Sequence, residues 1–80
     1  MNITVKFFAL GRELVGKSAL ILSLEDGASV EEAITRLQAE HPNFAKLPSF
    51  LTAVNTRYAE RTMILNNNDE LAIIPPVSGG

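Results

Sequence analysis

The sequence has 80 residues, 46% of them hydrophobic and 20% charged, which predicts one small folded domain rather than a disordered chain. The net charge is −2 and the seven lysines and arginines are scattered singly, so the basic cluster of a nucleic-acid-binding protein is missing. The absence of cysteine excludes disulfides, thiolate metal sites and thiol nucleophiles.

Two strands are predicted at the start of the chain. Residues 3–10, ITVKFFAL, are rich in β-branched and aromatic side chains and alternate at their start. Residues 11–16, GRELVG, lie between glycines and predict a loop that holds up to one helical turn. Residues 18–24, SALILSL, form the second predicted strand, and the short connection favours antiparallel pairing with the first.

The clearest helix of the sequence follows an Asp-Gly turn. Ser29 is suited to cap its N-terminus, and Glu32 lies at the spacing of a capping box. Apolar residues then recur at helical spacing on one side: Val30, Ala33, Ile34 and Leu37. Pro42 restricts the preceding residue, His41, to extended geometry, so the helix is expected to end there. A lone histidine cannot form a metal site, and His41 is interpreted as a polar residue of the last helical turn.

The segment after the helix, residues 43–51, follows neither the helical nor the strand period. It is interpreted as a linker whose apolar side chains reach the core: Phe44, Leu47 and Leu51. A short strand is predicted next, at residues 52–58, and residues 59–65 predict a loop followed by a short edge strand. The last strand is predicted at residues 70–74, after a turn of asparagines and an aspartate whose side chains can bond the local backbone.

These elements predict an α+β roll, in which one main helix packs on one face of a mixed sheet of four to five strands. The first and last strands are expected to lie side by side and parallel at the centre. The alternation assigns one set of side chains to the helix-covered face: Ile3, Val5, Phe7, Leu71 and Ile73.

The opposite face of the sheet is then open to water or to a partner. The same alternation turns Phe8 and Ile74 to this open face, where Tyr58 could join them. One interpretation is an apolar docking patch, and the other is a few isolated apolar side chains of the kind that most surfaces carry. The residues alone support both interpretations equally.

The sequence ends in IIPPVSGG. Pro75 and Pro76 lack N–H donors and hold the preceding residues extended, so they predict a stiff spacer that leads the chain off the sheet. Gly79 and Gly80 have no side chains and could enter a narrow channel that delivers a terminal carboxylate to a buried site. The alternative is an unconstrained end. The prolines favour the first interpretation, with a body at residues 1–76 and a protruding, flexible tail at residues 77–80.

The whole sequence resembles the small subunits of molybdopterin synthase, a ubiquitin-like sulfur-carrier family with the β-grasp fold. The segments that carry the resemblance are VKFFALGRELVG near the start, AVN at 53–55, and NDELAIIPPVSGG at the end. Two positions depart from the family pattern. The family's Asp-Gly-Asp turn is replaced by 67–69, Asn-Asn-Asp, where asparagine can supply the left-handed conformation of glycine. An aromatic residue is frequent where Ile74 stands, so a flatter patch is expected here.

The resemblance implies that the chain is a carrier and not an enzyme on its own, with no permanently bound cofactor. An adenylating enzyme would use ATP to activate the carboxylate of Gly80, and a sulfur donor, typically a persulfide, would convert it to a thiocarboxylate. The large subunit would then transfer the sulfur to cyclic pyranopterin monophosphate and form the dithiolene of molybdopterin. The expected assembly is a heterotetramer of two small and two large subunits.

The resemblance also assigns a role to individual residues. Gly80 is the sulfur acceptor and donor, and Gly79 gives clearance. The other tail residues form an arm: Pro75, Pro76, Val77 and Ser78. The expected docking patch for the large subunit consists of Phe8, Tyr58 and Ile74.

Three other functions are compatible with these features. A sulfur carrier of thiamine biosynthesis would use the same tail chemistry, although such carriers usually lack the Pro-Pro-Val step. A ubiquitin-like modifier would be joined to protein lysines, and a pure interaction module would not need its tail at all.

The start of the sequence lacks a secretion signal, and no apolar run approaches the ~20 residues of a membrane-spanning helix. A cytoplasmic protein is expected.

Overall fold

A five-stranded mixed sheet forms the body of the protein in the computed structural model, which describes residues 1–76. The strands are β1 Asn2–Phe7, β2 Ala19–Ser23, β3 Leu51–Val54, β4 Arg57–Tyr58 and β5 Glu70–Ile74. The helices are α1 Ala9–Val15, α2 Val30–Glu40 and a 3-10 helix at Pro42–Lys46. The strand order is β2-β1-β5-β3-β4, with β1 and β5 parallel and the other neighbours antiparallel. The predicted fold class and the central parallel pair are therefore confirmed.

The hydrophobic core lies between the sheet and α2. In the central pair, Val5 lies beside Leu71 and Phe7 beside Ile73, and all four side chains are buried. The helix buries the apolar side that the sequence predicted: Val30, Ala33, Ile34 and Leu37. Each large apolar side chain removed from water stabilises the fold by roughly 1.5–3 kcal/mol before entropy is counted. This packing leaves the opposite face of the sheet uncovered by α2.

The ends of α2 are set by the predicted residues. The N–H of Glu32 donates a hydrogen bond to Ser29 Oγ at 3.2 Å, so Ser29 caps the helix. His41 follows the last helical residue, and its N–H donates to the Leu37 carbonyl at 2.8 Å. Pro42 then begins the 3-10 helix, which presents Phe44 edge-on to Phe7 with ring centroids 6.0 Å apart. Phe44 and Leu47 reach the core, as predicted.

The first strand is shorter than predicted, because residues 9–15 form a helix. The prediction of a strand to residue 10 and of a loop with up to one turn was wrong here. Helix α1 ends at Gly16, whose positive φ of 82° suits glycine and whose N–H donates to the Arg12 carbonyl at 2.8 Å. Leu14 and Val15 pack against the core. Tertiary contact therefore stabilises a helix that is too short to form by itself.

The single strand predicted at residues 52–58 is a hairpin of β3 and β4. Asn55 and Thr56 form its two-residue turn with φ of 50° and 73°, the mirror-image turn that hairpins prefer. Leu51 is 54% exposed and not in the core, because the residues of β3 on the core face of the sheet are Thr52 and Val54, which lie opposite the buried Ile73 and Leu71. The edge strand predicted within 59–65 is, in the described residues, a single bridge between Ser29 and Ile64.

The asparagine-rich turn before β5 has the predicted conformation. Asn68 has a φ of 70°, in the left-handed region that asparagine adopts more readily than most residues. Its N–H donates to the Asn2 carbonyl at 2.8 Å, and Asn2 N–H donates to Asn67 Oδ1 at 2.8 Å. The turn is thus tied to the start of β1, and it fixes where the central strand begins.

Candidate functional site

The sheet face opposite α2 has a polar end and an apolar end. The polar end carries Lys6 and Glu70, whose Nζ and Oε2 atoms are 3.3 Å apart. The apolar end consists of six side chains, which we call the open-face patch: Phe8, Leu51, Ala53, Tyr58, Ala72 and Ile74. The strand register brings these residues together, since Leu51 lies opposite Ile74 and Ala53 lies between Ala72 and Tyr58.

The open-face patch contains a shallow depression of ≈ 280 Å³. The sequence-predicted residues Phe8, Tyr58 and Ile74 all line it, and the small side chains Ala53 and Ala72 lie between them. Phe8 is 46% exposed and Tyr58 is 75% exposed, while Ile74 is half-buried. Two aromatic rings held open to solvent beside a small-residue floor can accept a complementary apolar surface.

Phe8 is positioned by the junction between β1 and α1. Phe7 is fixed in the core, and Phe8 follows it in extended geometry with φ −131° and ψ 152°. The chain then reverses at Ala9, whose φ is 49°, and the N–H of Gly11 donates to the Phe8 carbonyl at 3.0 Å. The backbone of Phe8 is therefore held from both sides, and its side chain is exposed on the open face.

Tyr58 is positioned by a polar lock between its hairpin and the start of β5. Asn55 Nδ2 donates to Asp69 Oδ1 at 2.9 Å, and Glu70 N–H donates to Asn55 Oδ1 at 3.0 Å. The second carboxylate oxygen, Asp69 Oδ2, accepts from Asn66 N–H at 2.8 Å. Asp69 is only 9% exposed, so these bonds replace the water that its carboxylate gives up. Asn55, the last residue of the AVN segment, therefore ties the hairpin to the start of β5.

We expect Asn55→Ala to lower the free energy of unfolding by about 2 kcal/mol, because it leaves Asp69 short of a donor and places alanine at a left-handed position. Urea denaturation followed by circular dichroism measures the change. Asn43→Ala is the matched control, since Asn43 is an exposed residue of the 3-10 helix and should change stability by no more than ~0.5 kcal/mol. Equal effects of the two substitutions would contradict the lock.

The chain leaves the sheet beside the open-face patch. Strand β5 ends at Ile74, and the next two residues are Pro75, which is half-buried, and Pro76, which is exposed. The two prolines line an apolar groove of ≈ 510 Å³ together with residues of α1 and of the segment before β3: Ala9, Leu10, Leu47, Pro48 and Ser49. Ile74 and Pro75 therefore link the patch to this groove. The predictions for Val77, Ser78, Gly79 and Gly80 lie outside the described residues.

Within residues 1–76, no group of three or more histidine, aspartate or glutamate side chains has a geometry that could hold a metal ion. No helix in the same range is long and apolar enough to cross a bilayer. Sequence reasoning missed Leu51 and Ala53, because their positions depend on how β3 pairs with β5, and no signal in the sequence marks that register. It also left Ala72 out of the patch, although alternation along the last strand places Ala72 on the same face as Ile74.

Comparison with protein-family models gives a match to the model described as the ThiS family, over residues 5–80. The chain belongs to the ThiS family. Several curated relatives are named molybdopterin synthase sulfur carrier subunit. The one from Arabidopsis thaliana is 36% identical over 81 residues, covering 100% of this chain and 84% of the relative. The one from Dictyostelium discoideum is 38% identical over 80 residues, covering 95% and 93%.

Solved structures confirm the ubiquitin-like β-grasp fold of this ThiS-family chain. The crystal structure of SAMP1 from Haloferax volcanii superposes with a TM-score of 0.91 and 26% sequence identity, covering 100% of both chains. The likeness extends over the whole chain, so the elements that carry the open-face patch and the start of the tail belong to the shared architecture.

Proposed function

We propose that this ThiS-family protein is the sulfur-carrier subunit of a molybdopterin synthase and that the carboxylate of Gly80 carries the sulfur as a thiocarboxylate. One observation carries the proposal: relatives with this name are 36% and 38% identical to the chain over nearly its whole length. The family match also includes residues 77–80, the segment in which the proposed acyl group lies.

The geometry of the described residues supports a carrier. The chain leaves the sheet where the central strand β5 ends, and Pro75 and Pro76 follow directly with fixed φ angles before the tail. The open-face patch adjoins this point through Ile74. A large subunit that binds the patch would therefore hold the root of the tail at a fixed place and could receive its end in an active site. We assign residues 1–76 to the folded body and residues 77–80 to the tail.

The chemistry has to activate a poor electrophile. A carboxylate resists attack because its oxygen is a bad leaving group, and an adenylating enzyme removes this obstacle. A carboxylate oxygen of Gly80 attacks the α-phosphorus of ATP, pyrophosphate leaves, and an acyl-adenylate forms. The terminal sulfur of a persulfide then attacks the carbonyl carbon, and AMP leaves. A second thiol attacks the resulting S–S bond, which yields the thiocarboxylate and a disulfide.

The loaded carrier then delivers its sulfur on the large subunit. The thiocarboxylate is ionised near neutral pH and is a better sulfur nucleophile than a thiol, so its sulfur attacks a side-chain carbon of cyclic pyranopterin monophosphate and an oxygen substituent of that carbon leaves. Water then hydrolyses the bond between this sulfur and the Gly80 carbonyl carbon, which leaves the sulfur on the pterin and restores the Gly80 carboxylate. A second loaded carrier repeats the two steps at the neighbouring carbon and completes the dithiolene. Gly79 provides clearance in the channel, and Val77 and Ser78 span the distance from the prolines. We place the catalytic acids and bases on the large subunit, in a cytoplasmic heterotetramer of two small and two large subunits.

The acceptor distinguishes this function from a carrier of thiamine biosynthesis. Carrier loaded with sulfur is offered separately to a pterin system, with large subunit and pterin precursor, and to a thiazole-forming system. We expect the dithiolene product from the first and no thiazole from the second. Thiazole formation without dithiolene would reassign the chain to thiamine biosynthesis.

The second candidate is a protein modifier. The likeness to SAMP1 from Haloferax volcanii favours it, because a second structure similar to this chain is named small archaeal modifier protein 1 from the same organism. Activation by ATP is common to both functions, so it does not separate them. Mass spectrometry of proteins from cells separates the two functions, because a modifier leaves Gly80 joined to lysine side chains by isopeptide bonds. We expect the thiocarboxylate to be the principal form and such adducts to be absent.

A further inference from the structure

The outer edge of β2 is a sheet edge without the usual protection. Natural proteins protect edges with short strands, charged side chains, prolines or bulges, since an open edge can pair with another chain. The other edge of this sheet, β4, follows that rule with two residues, one of them Arg57. The segment around β2, SALILSL at residues 18–24, contains no charged residue and no proline, and it pairs without a bulge.

The hydrogen bonds of β2 show which groups point outward. Leu24 N–H donates to the Met1 carbonyl and Phe7 N–H donates to the Ser18 carbonyl, both at 2.9 Å. Because bonding residues alternate in an antiparallel pair, the even-numbered residues of β2 bond to β1 and the odd-numbered residues face away. These outward residues are Ala19, Ile21 and Ser23. Within residues 1–76, the only hydrogen bond to their outward groups is that from Arg36 Nη1 to the Ser23 carbonyl, at 3.1 Å.

We propose that this edge pairs with β2 of a second copy of the chain. The two strands run antiparallel about a two-fold axis at Ile21, and they join the two sheets into one. In this register Ile21 lies opposite Ile21 of the second copy, and Ala19 lies opposite Ser23. The same register places Lys17 opposite Glu25 of the second copy, once on each side of the axis.

The charges at the ends of the strand argue for a second copy rather than for a foreign strand. Lys17 and Glu25 each stand four residues from Ile21, one on either side, and both are exposed. They are roughly 26 Å apart along one extended strand, so they cannot meet in a single chain. Within residues 1–76, neither takes part in an ion pair. An antiparallel two-fold pairing brings each to its opposite charge, as a self-complementary interface requires.

The apolar side chains and the remaining polar group fit the same arrangement. Ile21 is 65% exposed on the open face, and its counterpart in the second copy would cover it. The Ser23 carbonyl has two lone pairs, so it can keep Arg36 and accept one further N–H. The open-face patch lies toward β3 and β4, away from this edge, and stays accessible. Self-association is therefore independent of the sulfur-carrier proposal, and either can fail alone.

Sedimentation velocity over a dilution series tests the pairing with the full chain. We expect a reversible dimer, and we expect Lys17→Glu or Glu25→Lys alone to raise its dissociation constant about tenfold, because each places like charges opposite one another twice. The double variant Lys17→Glu/Glu25→Lys should restore the dissociation constant to within about twofold of the original. Lys46→Glu is the matched control, since it makes the same charge change on the 3-10 helix.

Hydrogen exchange supplies a readout at the residues of the edge. The amide hydrogens of Ala19, Ile21 and Ser23 should gain protection as the protein concentration rises, while that of Tyr58 on the opposite edge should not. A chain that is monomeric at every concentration overturns the proposal. So does a dimer whose dissociation constant is unchanged by the single charge reversals. Protection of these amides only on addition of a different protein assigns the edge to a foreign strand and likewise overturns it.

Discussion

Removal of Gly79 and Gly80 is expected to abolish sulfur transfer and to leave the folded domain intact. Without them the chain would end at Ser78, about 7 Å short of the original end, and its acyl group could not reach the sites where it is charged and used. The core cluster lies entirely between Ile3 and Ile73. We therefore expect the free energy of unfolding to change by less than about 0.5 kcal/mol. Dithiolene formation in a reconstituted synthase measures the activity, and urea denaturation measures the stability.

Two variants separate the length of the tail from its chemistry. Addition of one alanine after Gly80 keeps both glycines but moves the acyl group, so it should abolish transfer as well. Ser78→Ala keeps the length and the terminal glycines and should retain most of the activity. A truncated carrier that works at the wild-type rate would show that the chain acts as an interaction module whose tail is dispensable.

Truncation of the open-face patch is expected to weaken binding of the large subunit. Phe8→Ala and Ile74→Ala each remove an apolar side chain that lines the depression, and hot-spot positions of this kind lower affinity by about tenfold to a hundredfold. Phe8 is 46% exposed in the free chain, so its removal should cost no more than about 1 kcal/mol of stability. Isothermal titration with a purified large subunit gives the dissociation constants.

Ile64→Ala is the matched control for the patch. Ile64 is 53% exposed but lies beside Ser29 at the start of α2, outside the depression. Its removal should leave the affinity unchanged. If neither Phe8→Ala nor Ile74→Ala changes the dissociation constant, the open-face patch is not the docking surface. The two exposed rings would then be ordinary surface side chains of the sheet.

The elements with a strong local signal were predictable from the sequence. Helix α2 combines a capping serine, a full apolar stripe and a stop at Pro42, and each signal agrees with the others. The alternation in the first and last strands also identified the core face, because both strands pack under the same helix. The first and last strands are far apart in the chain, but the alternation within each strand is enough to predict which of its side chains face the core.

The predictions that were wrong concern segments whose structure depends on contacts between residues distant in the sequence. Helix α1 has only seven residues and includes Gly11, so packing against the core and not its own propensity decides its state. The hairpin turn at Asn55 and Thr56 lacks the glycine that usually marks such a turn. Thr56 has a positive φ, which is unusual for threonine, so the sequence did not predict the hairpin. The exposure of Leu51 follows from the register of β3 with β5. The same register completes the open-face patch, so the patch could be only half predicted.

Intact-mass spectrometry tests the central claim most directly. The chain is incubated with ATP, an adenylating enzyme and a persulfide donor, and its mass is compared with that of the untreated chain. The account predicts a gain equal to the exchange of one oxygen for one sulfur, which fragmentation places at Gly80 and which a chain capped as the C-terminal amide does not acquire. An unchanged mass, or a sulfur found on any other residue, would contradict it.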